Sequence, residues 1–383
     1  MRPPPGMPHS PNQVCKLHKP LYGLKQAPRA WFEKISNAIL QYGFIQSAYD
    51  STMFTRSTKK GMVILLLYVD DMVITGDDIV GITSLKSHLS SCFEMKDLGP
   101  LRYFLGIEVD NPSDGCFISQ VKYASDILQR ARLTDNKTAN TPLELNSKIN
   151  PFDRKILSNP TLYRQLVGSL NYLTITQPDI NHVVHIVSQF MSAPRSTHYA
   201  AVIRILRYIK GTLYQGIKIS STSDLCLLTY SESDWAGDIT DRRSTTGYCL
   251  FLGNFLISWG SKKQTVVSRS SAEAEYRSLA HSNYEIFWMR CLLEDMGVHL
   301  SKPTPLYFDD KDAIHIAHND VFHERTKNIE INYHFVRHHF KKQTIDLPFV
   351  PSVMQLADLF TKILPSVRLE FFASKLNMCS SPP

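Results

Sequence analysis

The stretch Gly61-Met-Val-Ile-Leu-Leu-Leu-Tyr-Val-Asp70-Asp71-Met-Val-Ile-Thr-Gly76 consists of two apolar, β-branched-rich runs with two adjacent aspartates between them. The runs at residues 62–69 and 72–75 predict a β-hairpin, with Asp70 and Asp71 at or beside its turn. Adjacent carboxylates repel each other unless a cation neutralises them, and Mg²⁺ prefers oxygen ligands of this kind. Because aspartate is also a common turn residue, the pair indicates either a metal site or simply a tight turn.

The composition is that of a globular chain with a mild positive charge. Of its 383 residues, 43% are hydrophobic and 20% charged, which suits two or three domains with apolar cores. The formal net charge of +7 fits a polyanionic partner. None of the seven cysteines lies in a C-x-x-C pair, so reduced intracellular thiols are expected rather than zinc or disulfides. The most apolar window, residues 62–69, is far shorter than the roughly 18–20 residues of a membrane span, so no membrane partner is expected.

A basic and aromatic segment precedes the hairpin. Lys16, Lys25 and Arg29 lie close in sequence to Trp31, where a helix is predicted to begin. Positive side chains beside aromatic rings suit a nucleic-acid backbone with stacked bases. A solvated basic face over core aromatic residues would have the same composition, so both interpretations stay open.

The middle of the chain is predicted to be largely helical, with Asp179 as the N-cap of its second helix. Arg204, Arg207 and Lys210 fall roughly on one side of the third helix, where they could grip a duplex or face solvent. Between the hairpin and residue 210, apolar periodicity and turn residues predict a helix at 82–92, strands at 101–109 and 116–120, and helices at 122–132, 162–176, 180–191 and 197–210.

The second half changes to strand periodicity and then alternates strands with helices. This order predicts an α/β (α+β) fold in which helices pack on a mixed sheet. The predicted elements are strands at 225–230, 244–252, 255–259 and 264–268, a long helix at 270–296, a strand at 306–309, helices at 313–319 and 334–342, a strand at 345–350 and a helix at 356–363.

Acidic residues recur where the elements of such a sheet would converge. Glu232 and Asp234 follow the first predicted strand, Glu275 lies one turn inside the long helix, Asp309 ends a strand, and Asp358 lies in the last predicted helix. Carboxylates from strand ends and a helix can form a two-metal site that activates water. Each residue alone is better explained as a helix cap or a solvated charge, so only the set points to catalysis.

Several long motifs resemble the C-terminal part of the Pol polyprotein of copia-type LTR retrotransposons, which carries a reverse transcriptase followed by a ribonuclease H. The resemblance covers nearly the whole chain. The motifs are Leu21-Tyr-Gly-Leu-Lys-Gln-Ala-Pro-Arg-Ala-Trp-Phe32, Tyr68-Val-Asp-Asp-Met72, Asp97-Leu-Gly-Pro-Leu-Arg-Tyr-Phe-Leu-Gly-Ile-Glu-Val109, Arg207-Tyr-Ile-Lys-Gly-Thr212, Asp234-Trp-Ala-Gly-Asp238, Asp241-Arg-Arg-Ser-Thr-Thr-Gly-Tyr248, Ser270-Ser-Ala-Glu-Ala-Glu-Tyr276 and Gln355-Leu-Ala-Asp-Leu-Phe-Thr-Lys362.

The resemblance implies a polymerase site in the first part of the chain. Asp70 and Asp71 are expected to be two of the three palm carboxylates that hold Mg²⁺, with Mn²⁺ as an alternative, for nucleotidyl transfer from dNTPs to a template-primer. The floor beneath the template and the incoming nucleotide is expected to be shaped by a basic segment that contains Gly23, Lys25, Gln26, Pro28 and Arg29.

The resemblance also implies a ribonuclease H site in the second part. Glu275, Asp309 and Asp358 match the family's metal-binding carboxylates, Glu232 stands at the first-strand position, and Asp234 is a candidate to substitute for it. These residues are expected to cleave the RNA strand of an RNA–DNA hybrid with metal-activated water. The expected partners further include the integrase and protease of the polyprotein. The expected compartment is intracellular: the cytoplasm, a virus-like particle or the nucleus.

The same resemblance predicts the domain organisation. It assigns residues 1–125 to an N-terminally truncated polymerase palm and residues 126–222 to a largely helical thumb and connection. A ribonuclease H-like mixed sheet with flanking helices follows at 223–366, and a tail at 367–383.

Two departures from the family pattern bear on activity. The chain opens at Met1-Arg-Pro-Pro-Pro-Gly6, whereas the family's first palm aspartate lies upstream of the matching stretch, so no polymerase activity is expected from this polypeptide alone. The family carries aspartate where this chain has Glu232, and the extra methylene moves a carboxylate by about 1 Å, which Mg²⁺ tolerates poorly. Reduced ribonuclease H activity is therefore expected. The alternative to an enzyme fragment of this kind is a non-catalytic, nucleic-acid-binding remnant of a transposable element.

Overall fold

The computed structural model describes residues 3, 5–18, 23–147, 149–152, 154–319 and 329–380. Leu21 and Tyr22 of the first motif lie outside the described residues. The chain divides into two compact units, one formed by residues 1–99 and 291–298, the other by residues 100–290 and 299–383. The predicted domain bounds at 125, 222 and 366 stay a prediction.

The first unit contains a four-stranded antiparallel sheet and two helices. In chain order the elements are α1 (Ala27–Gln41), β1 (Ile45–Gln46), β2 (Met53–Thr58), β3 (Gly61–Tyr68), β4 (Asp71–Gly76) and α2 (Ile79–Cys92). The strand order is β1-β2-β3-β4. On β3, Val63, Leu65 and Leu67 are buried at every second position and share a core with residues of both helices, including Ile35 and Leu85.

The predicted hairpin is confirmed as β3 and β4, which pair from Val63 opposite Gly76 to Tyr68 opposite Asp71. The helix after it begins at Ile79, a few residues earlier than predicted. Asp78 explains this start, because its carboxylate accepts a hydrogen bond from the Gly81 backbone N–H at 2.9 Å and thereby caps the helix.

From residue 100 onward the chain forms two five-stranded sheets with helices. The elements are β5 (Tyr103–Phe104), β6 (Ile107–Asp110), β7 (Gly115–Ser119), α3 (Val121–Arg130), α4 (Pro160–Leu173), α5 (Asn181–Ser188), α6 (Ser196–Gly211), β8 (Gln215–Ser220), β9 (Leu227–Ser233), β10 (Thr245–Leu252), β11 (Phe255–Lys263), α7 (Ser271–Asp295), β12 (Thr304–Tyr307), α8 (Lys311–His318), α9 (Glu330–Lys341), β13 (Ile345–Asp346), α10 (Ser366–Lys375) and β14 (Met378–Ser380).

The first of these sheets has order β14-β8-β7-β6-β5 and is antiparallel throughout. One prediction is wrong at the edge of this sheet. Residues 101–109 were predicted to form a single strand, but they form the hairpin of β5 and β6. The chain reverses at Leu105 and Gly106, whose φ angles are 51° and 83°. The residues assigned to a tail contribute α10 and β14, and β14 pairs with β8.

The helical segment between β7 and β8 confirms three predicted helices to within a few residues, as α4, α5 and α6. The cap assigned to Asp179 is wrong. Asp179 lies inside a 3₁₀ turn at Pro178–Ile180, is buried, and its carboxylate accepts a hydrogen bond from the Tyr208 hydroxyl at 2.5 Å. It therefore ties this turn to α6. None of the helices in the described residues is long and apolar enough to cross a membrane.

The second sheet has order β11-β10-β9-β12-β13. The strands β9, β10 and β11 form an antiparallel meander, β12 runs parallel to β9, and β13 runs parallel to β12. This mixed sheet, flanked by helices, confirms the predicted α/β (α+β) class.

Three local predictions for this second sheet are wrong. β9 continues to Ser233, so Glu232 lies within the strand rather than after it. Residues 264–268 form no strand, and the buried Gln264 side chain there donates to the Ala274 carbonyl at 2.9 Å. The predicted helix at 356–363 is a shorter 3₁₀ turn at Leu356–Phe360.

Candidate active sites

The turn of the β3–β4 hairpin is strained and held in place. Val69 and Asp70 form a two-residue loop, and Val69 adopts a φ of 52°. A β-branched residue in the left-handed region costs on the order of 1–3 kcal/mol, and such strain is concentrated at functional sites. The Trp31 indole N–H donates to the Val69 carbonyl at 2.8 Å and fixes the turn against α1. Asp70 and Asp71 are both exposed there.

The segment before α1 belongs to the same compact unit as this turn. Gly23 has a φ of 87°, which favours glycine, and Pro28 occupies the first turn of α1, where its missing N–H costs nothing. Gln26 is the N-cap residue and makes no side-chain cap. Lys25 and Arg29 are exposed. All of the predicted polymerase residues therefore stand on one unit, and their roles stay predictions.

In the second sheet, small polar side chains bring α7 close to β9. Ser231 and Ser278 bond through their hydroxyls at 2.8 Å, and the Ser278 hydroxyl also lies 2.8 Å from the Glu232 carbonyl, which accepts from it. Because neither side chain is bulky, the helix approaches the strand closely. Glu275, one turn earlier on α7, thereby accepts a hydrogen bond from the Ser233 backbone N–H at 3.0 Å.

A glycine brings a third element to the same place. Gly247 lies opposite Glu232 in the β10–β9 register. A Cβ at Gly247 would lie 2.7 Å from Thr361 Cγ2 and 2.9 Å from the Ala357 carbonyl oxygen. The 3₁₀ turn at Leu356–Phe360 and the residues after it therefore lie directly on β10, beside Glu232.

Thr361 and Lys362, which directly follow this turn, contact the Glu232 carboxylate. The Thr361 hydroxyl donates to Glu232 Oε2. Lys362 Nζ lies 3.1 Å from Glu232 Oε1 and 2.6 Å from Asp358 Oδ1. Glu232 and Asp358, which come from a strand and a 3₁₀ turn, are thus joined through one ammonium group.

Asp309 completes the set from the neighbouring strand. β12 pairs with β9 as far as Tyr307 opposite Tyr230, so Asp309 and Glu232 each lie two residues beyond that pair, at the same end of parallel strands. Asp309 Oδ2 accepts a hydrogen bond from the Ser352 hydroxyl at 2.8 Å.

The electrostatics of this carboxylate cluster favour a cation. Burial raises the pKa of Glu232 to about 7, although the Lys362 charge and the Thr361 hydroxyl oppose the shift. Burial, together with the charges of Glu232 and Asp309, raises the pKa of Glu275 well above its ordinary value. The pKa of Asp358 is also raised, chiefly by burial. Acids that disfavour each other's ionisation in this way are stabilised by positive charge.

The donor set suits a hard divalent ion, because Glu232, Glu275, Asp309 and Asp358 offer carboxylate oxygens, which Mg²⁺ prefers. As the side chains stand, however, no three His, Cys, Asp or Glu residues in the described part of the chain are placed to hold a metal ion. Lys362 supplies the positive charge between Glu232 and Asp358 instead.

Asp234 makes different contacts. One of its carboxylate oxygens accepts a hydrogen bond from the Thr245 backbone N–H, which ties the end of β9 to the start of β10. Burial raises the pKa of Asp234 to about 6. Its substitution for Glu232 stays a prediction.

Three residues that contact the cluster had no role assigned from the sequence: Thr361, Lys362 and Ser352. One local signal was present, because Lys362 follows Asp358 by four residues, a spacing that brings opposite charges together on a helical turn. No local pattern indicates Ser352 or Thr361, since their partners lie 43 and 129 residues away in the sequence.

Comparison with known proteins identifies relatives of this chain. The model of the reverse transcriptase (RNA-dependent DNA polymerase) family matches residues 1–145. The retrovirus-related Pol polyprotein from transposon RE1 of Arabidopsis thaliana is 43% identical over 373 residues, which are 97% of this chain and 25% of that protein. The putative transposon Ty5-1 protein of Saccharomyces cerevisiae is 31% identical over 288 residues, 74% of this chain and 94% of that protein.

Among solved structures, the N-terminal RNase H domain of a Mycobacterium tuberculosis protein, fused to maltose-binding protein, is similar in fold. It has a TM-score of 0.27 and 13% sequence identity, covering 39% of this chain and 98% of that chain.

The chain belongs to a class of transposon-encoded proteins related to reverse transcriptases. More narrowly, it is a member of the copia-type retrotransposon Pol family, which confirms the resemblance stated from the motifs. It spans about a quarter of the length of the curated plant Pol polyproteins that it matches.

Proposed function

We propose that residues 223–366 act as a ribonuclease H that cleaves the RNA strand of RNA–DNA hybrids. The observation that carries the proposal is the gathering of carboxylates from β9, α7, the end of β12 and the 3₁₀ turn at one edge of a mixed sheet. The residues are Glu232, Glu275, Asp309 and Asp358.

The chain's own residues orient these groups before substrate arrives. The Ser233 N–H fixes Glu275, the Ser352 hydroxyl fixes Asp309, and the Thr361 hydroxyl fixes Glu232. Side chains held in this way favour catalysis because little reorganisation is needed. When bound, a divalent ion, Mg²⁺ or Mn²⁺, would supply Lewis-acid activation of water and stabilise the leaving oxygen.

The proposed partners follow from charge and from the family. The net charge of +7 supports a polyanionic substrate. Selection of the RNA strand requires contacts with 2′-hydroxyl groups. We further propose that Asp70 and Asp71 belong to a polymerase site that uses a template-primer and dNTPs. Integrase and protease segments of a Pol polyprotein are proposed as further partners, in the cytoplasm, a virus-like particle or the nucleus.

The nuclease proposal is tested with two adjacent aspartates. Asp309→Asn should abolish Mg²⁺-dependent cleavage of a labelled RNA–DNA hybrid, because it removes a charge from the cluster. Asp310→Asn is the matched control. Asp310 caps α8 by accepting from the Ala313 N–H at 2.8 Å, and asparagine caps equally well, so cleavage should persist.

The outcomes separate the proposed enzyme from its alternative. Equal cleavage by Asp309→Asn and wild type would remove Asp309 from the mechanism. If the wild-type chain binds the hybrid with Mg²⁺ or Mn²⁺ present and cleaves none of it, the chain is a non-catalytic, nucleic-acid-binding remnant.

A further inference from the structure

Lys362 lies between two of the acids in the carboxylate cluster. Its Nζ is 3.1 Å from Glu232 Oε1 and 2.6 Å from Asp358 Oδ1. The side chains of Glu232 and Asp358 are 5% and 11% exposed, whereas that of Lys362 is 44% exposed. The lysine side chain therefore extends from the solvent into a nearly buried acidic site, where its ammonium group lies between Glu232 and Asp358.

We propose that Lys362 is a built-in cation that competes with the divalent ion for Glu232 and Asp358, and that its ammonium group has to leave before the ion binds. This inference rests on the proposed function, because it takes the cluster to be the metal site. An ammonium group at 2.6 Å from Asp358 Oδ1 occupies the space that a coordinated ion would need. Two positive charges at this separation also repel each other, so each disfavours the other.

The contacts around Lys362 allow it to leave without a change of backbone. Lysine carries its charge on a flexible four-carbon stem with rotatable bonds, and here part of that stem is in solvent. The Thr361 hydroxyl still holds Glu232 Oε2 when the ammonium is gone. Asp358 precedes Lys362 by one helical turn on the same segment, so its own position does not depend on the ion pair alone.

Competition of this kind has two measurable consequences. Without metal, Lys362 stabilises the fold by neutralising acids that would otherwise repel each other. With metal, the loss of its two ion pairs weakens the apparent affinity for the ion. Removal of the lysine charge should therefore lower stability in chelator and strengthen metal binding.

The test is Mn²⁺ and Mg²⁺ titration of the full 383-residue chain by calorimetry, with thermal unfolding in EDTA and in saturating Mn²⁺. Lys362→Met keeps the stem and removes the charge. We expect it to bind Mn²⁺ roughly 10- to 100-fold more tightly than wild type. We also expect it to unfold at a lower temperature in EDTA and to gain more from Mn²⁺.

Lys263→Met is the matched control. Lys263 Nζ lies 2.6 Å from Asp238 and 2.9 Å from Asp241, so the variant loses the same charge from a similar double ion pair that includes none of the four acids of the cluster. Its Mn²⁺ affinity should equal that of wild type. An increase as large as that of Lys362→Met would overturn the proposal, because it would reflect net charge alone.

The remaining outcomes distinguish this inference from the proposed function. If Asp309→Asn loses Mn²⁺ binding but Lys362→Met binds no more tightly than wild type, the competition is refuted and the metal site stands. If neither the wild type nor any variant binds Mn²⁺, both proposals fail. Should Lys362→Met not fold in EDTA, Lys362→Gln is titrated instead with the same expectation.

Discussion

Gly247→Ala tests the placement of the 3₁₀ turn on the sheet. The new Cβ would lie 2.7 Å from Thr361 Cγ2, 2.9 Å from the Ala357 carbonyl oxygen and 3.0 Å from Phe360 Cβ. Non-bonded carbon atoms normally stay about 3.5–4.0 Å apart, so the turn has to lift by roughly half an ångström or more. Because Ala357 contributes a backbone atom, a change of rotamer cannot relieve this contact.

Two consequences of Gly247→Ala are expected. Overpacking of this kind typically costs about 1–3 kcal/mol of unfolding free energy. Lifting the turn also moves Asp358 and Lys362 away from Glu232, and since a misplacement of ~1 Å can cost about 10²-fold in rate, hybrid cleavage should fall roughly ten- to a hundredfold. Urea denaturation and single-turnover cleavage of a labelled RNA–DNA hybrid measure the two effects.

The control for Gly247→Ala is Gly168→Ala, in the exposed interior of α4. A Cβ at Gly168 meets nothing within 4 Å. Alanine is favoured over glycine in a helix by about 1 kcal/mol, so this variant should be more stable than wild type and cleave equally well. If Gly247→Ala matches wild type in both assays, the 3₁₀ turn does not lie on Gly247 and the account of the site is refuted.

Three further predictions concern Asp179, Val69 and Glu232. Burial raises the pKa of Asp179 to about 6 in the folded chain, so its contribution to stability is present below pH ~4 and is lost as pH rises through 6. In the wild type, Asp179 should therefore lower the unfolding free energy by about 3 kcal/mol between pH 4 and 7. Asp179→Asn should abolish this decrease, and a variant whose pH profile in urea denaturation is the same as that of the wild type would contradict the prediction. Val69→Gly should raise the unfolding free energy by about 1 kcal/mol, since glycine adopts a positive φ without strain, and a lower value would argue against the strained turn. Glu232→Asp should raise the rate of hybrid cleavage, because it restores the carboxylate that the family pattern carries, and no gain on this reversion would count against a geometric defect.

The elements that the sequence predicted well are those with strong local patterns. In β3, buried Val63, Leu65 and Leu67 alternate with less buried residues, and this period defines a strand wherever it lies in the fold. The hairpin of β5 and β6 was missed for the opposite reason. Its reversal depends on a left-handed conformation at Leu105, which the residue type does not signal. Gly106 alone was a weak indication.

The acidic residues of the candidate site were identified from motifs, but the groups that hold them were not. Ser352, Thr361 and Lys362 reach their partners only after β9, β12 and the 3₁₀ turn have been brought together. These contacts are set by tertiary packing, and only the four-residue spacing from Asp358 to Lys362 is a local signal. Motifs therefore indicate which acids could react, whereas packing determines which of them are held ready.

Glu232 shows how packing can change the meaning of a substitution. From the sequence, its extra methylene is a defect in a metal site that the family builds around aspartate. In the structure, the longer side chain reaches the Thr361 hydroxyl with one oxygen and Lys362 with the other. The contact with Lys362 stabilises the metal-free site and occupies an oxygen that a metal would otherwise take, whereas the Thr361 hydroxyl holds the other oxygen in place. The glutamate and the lysine therefore act in the same direction, since each favours the fold without the ion over the site with it. Glu232→Asp and Lys362→Met should accordingly shift metal affinity the same way, and opposite shifts would show that the two residues are not coupled.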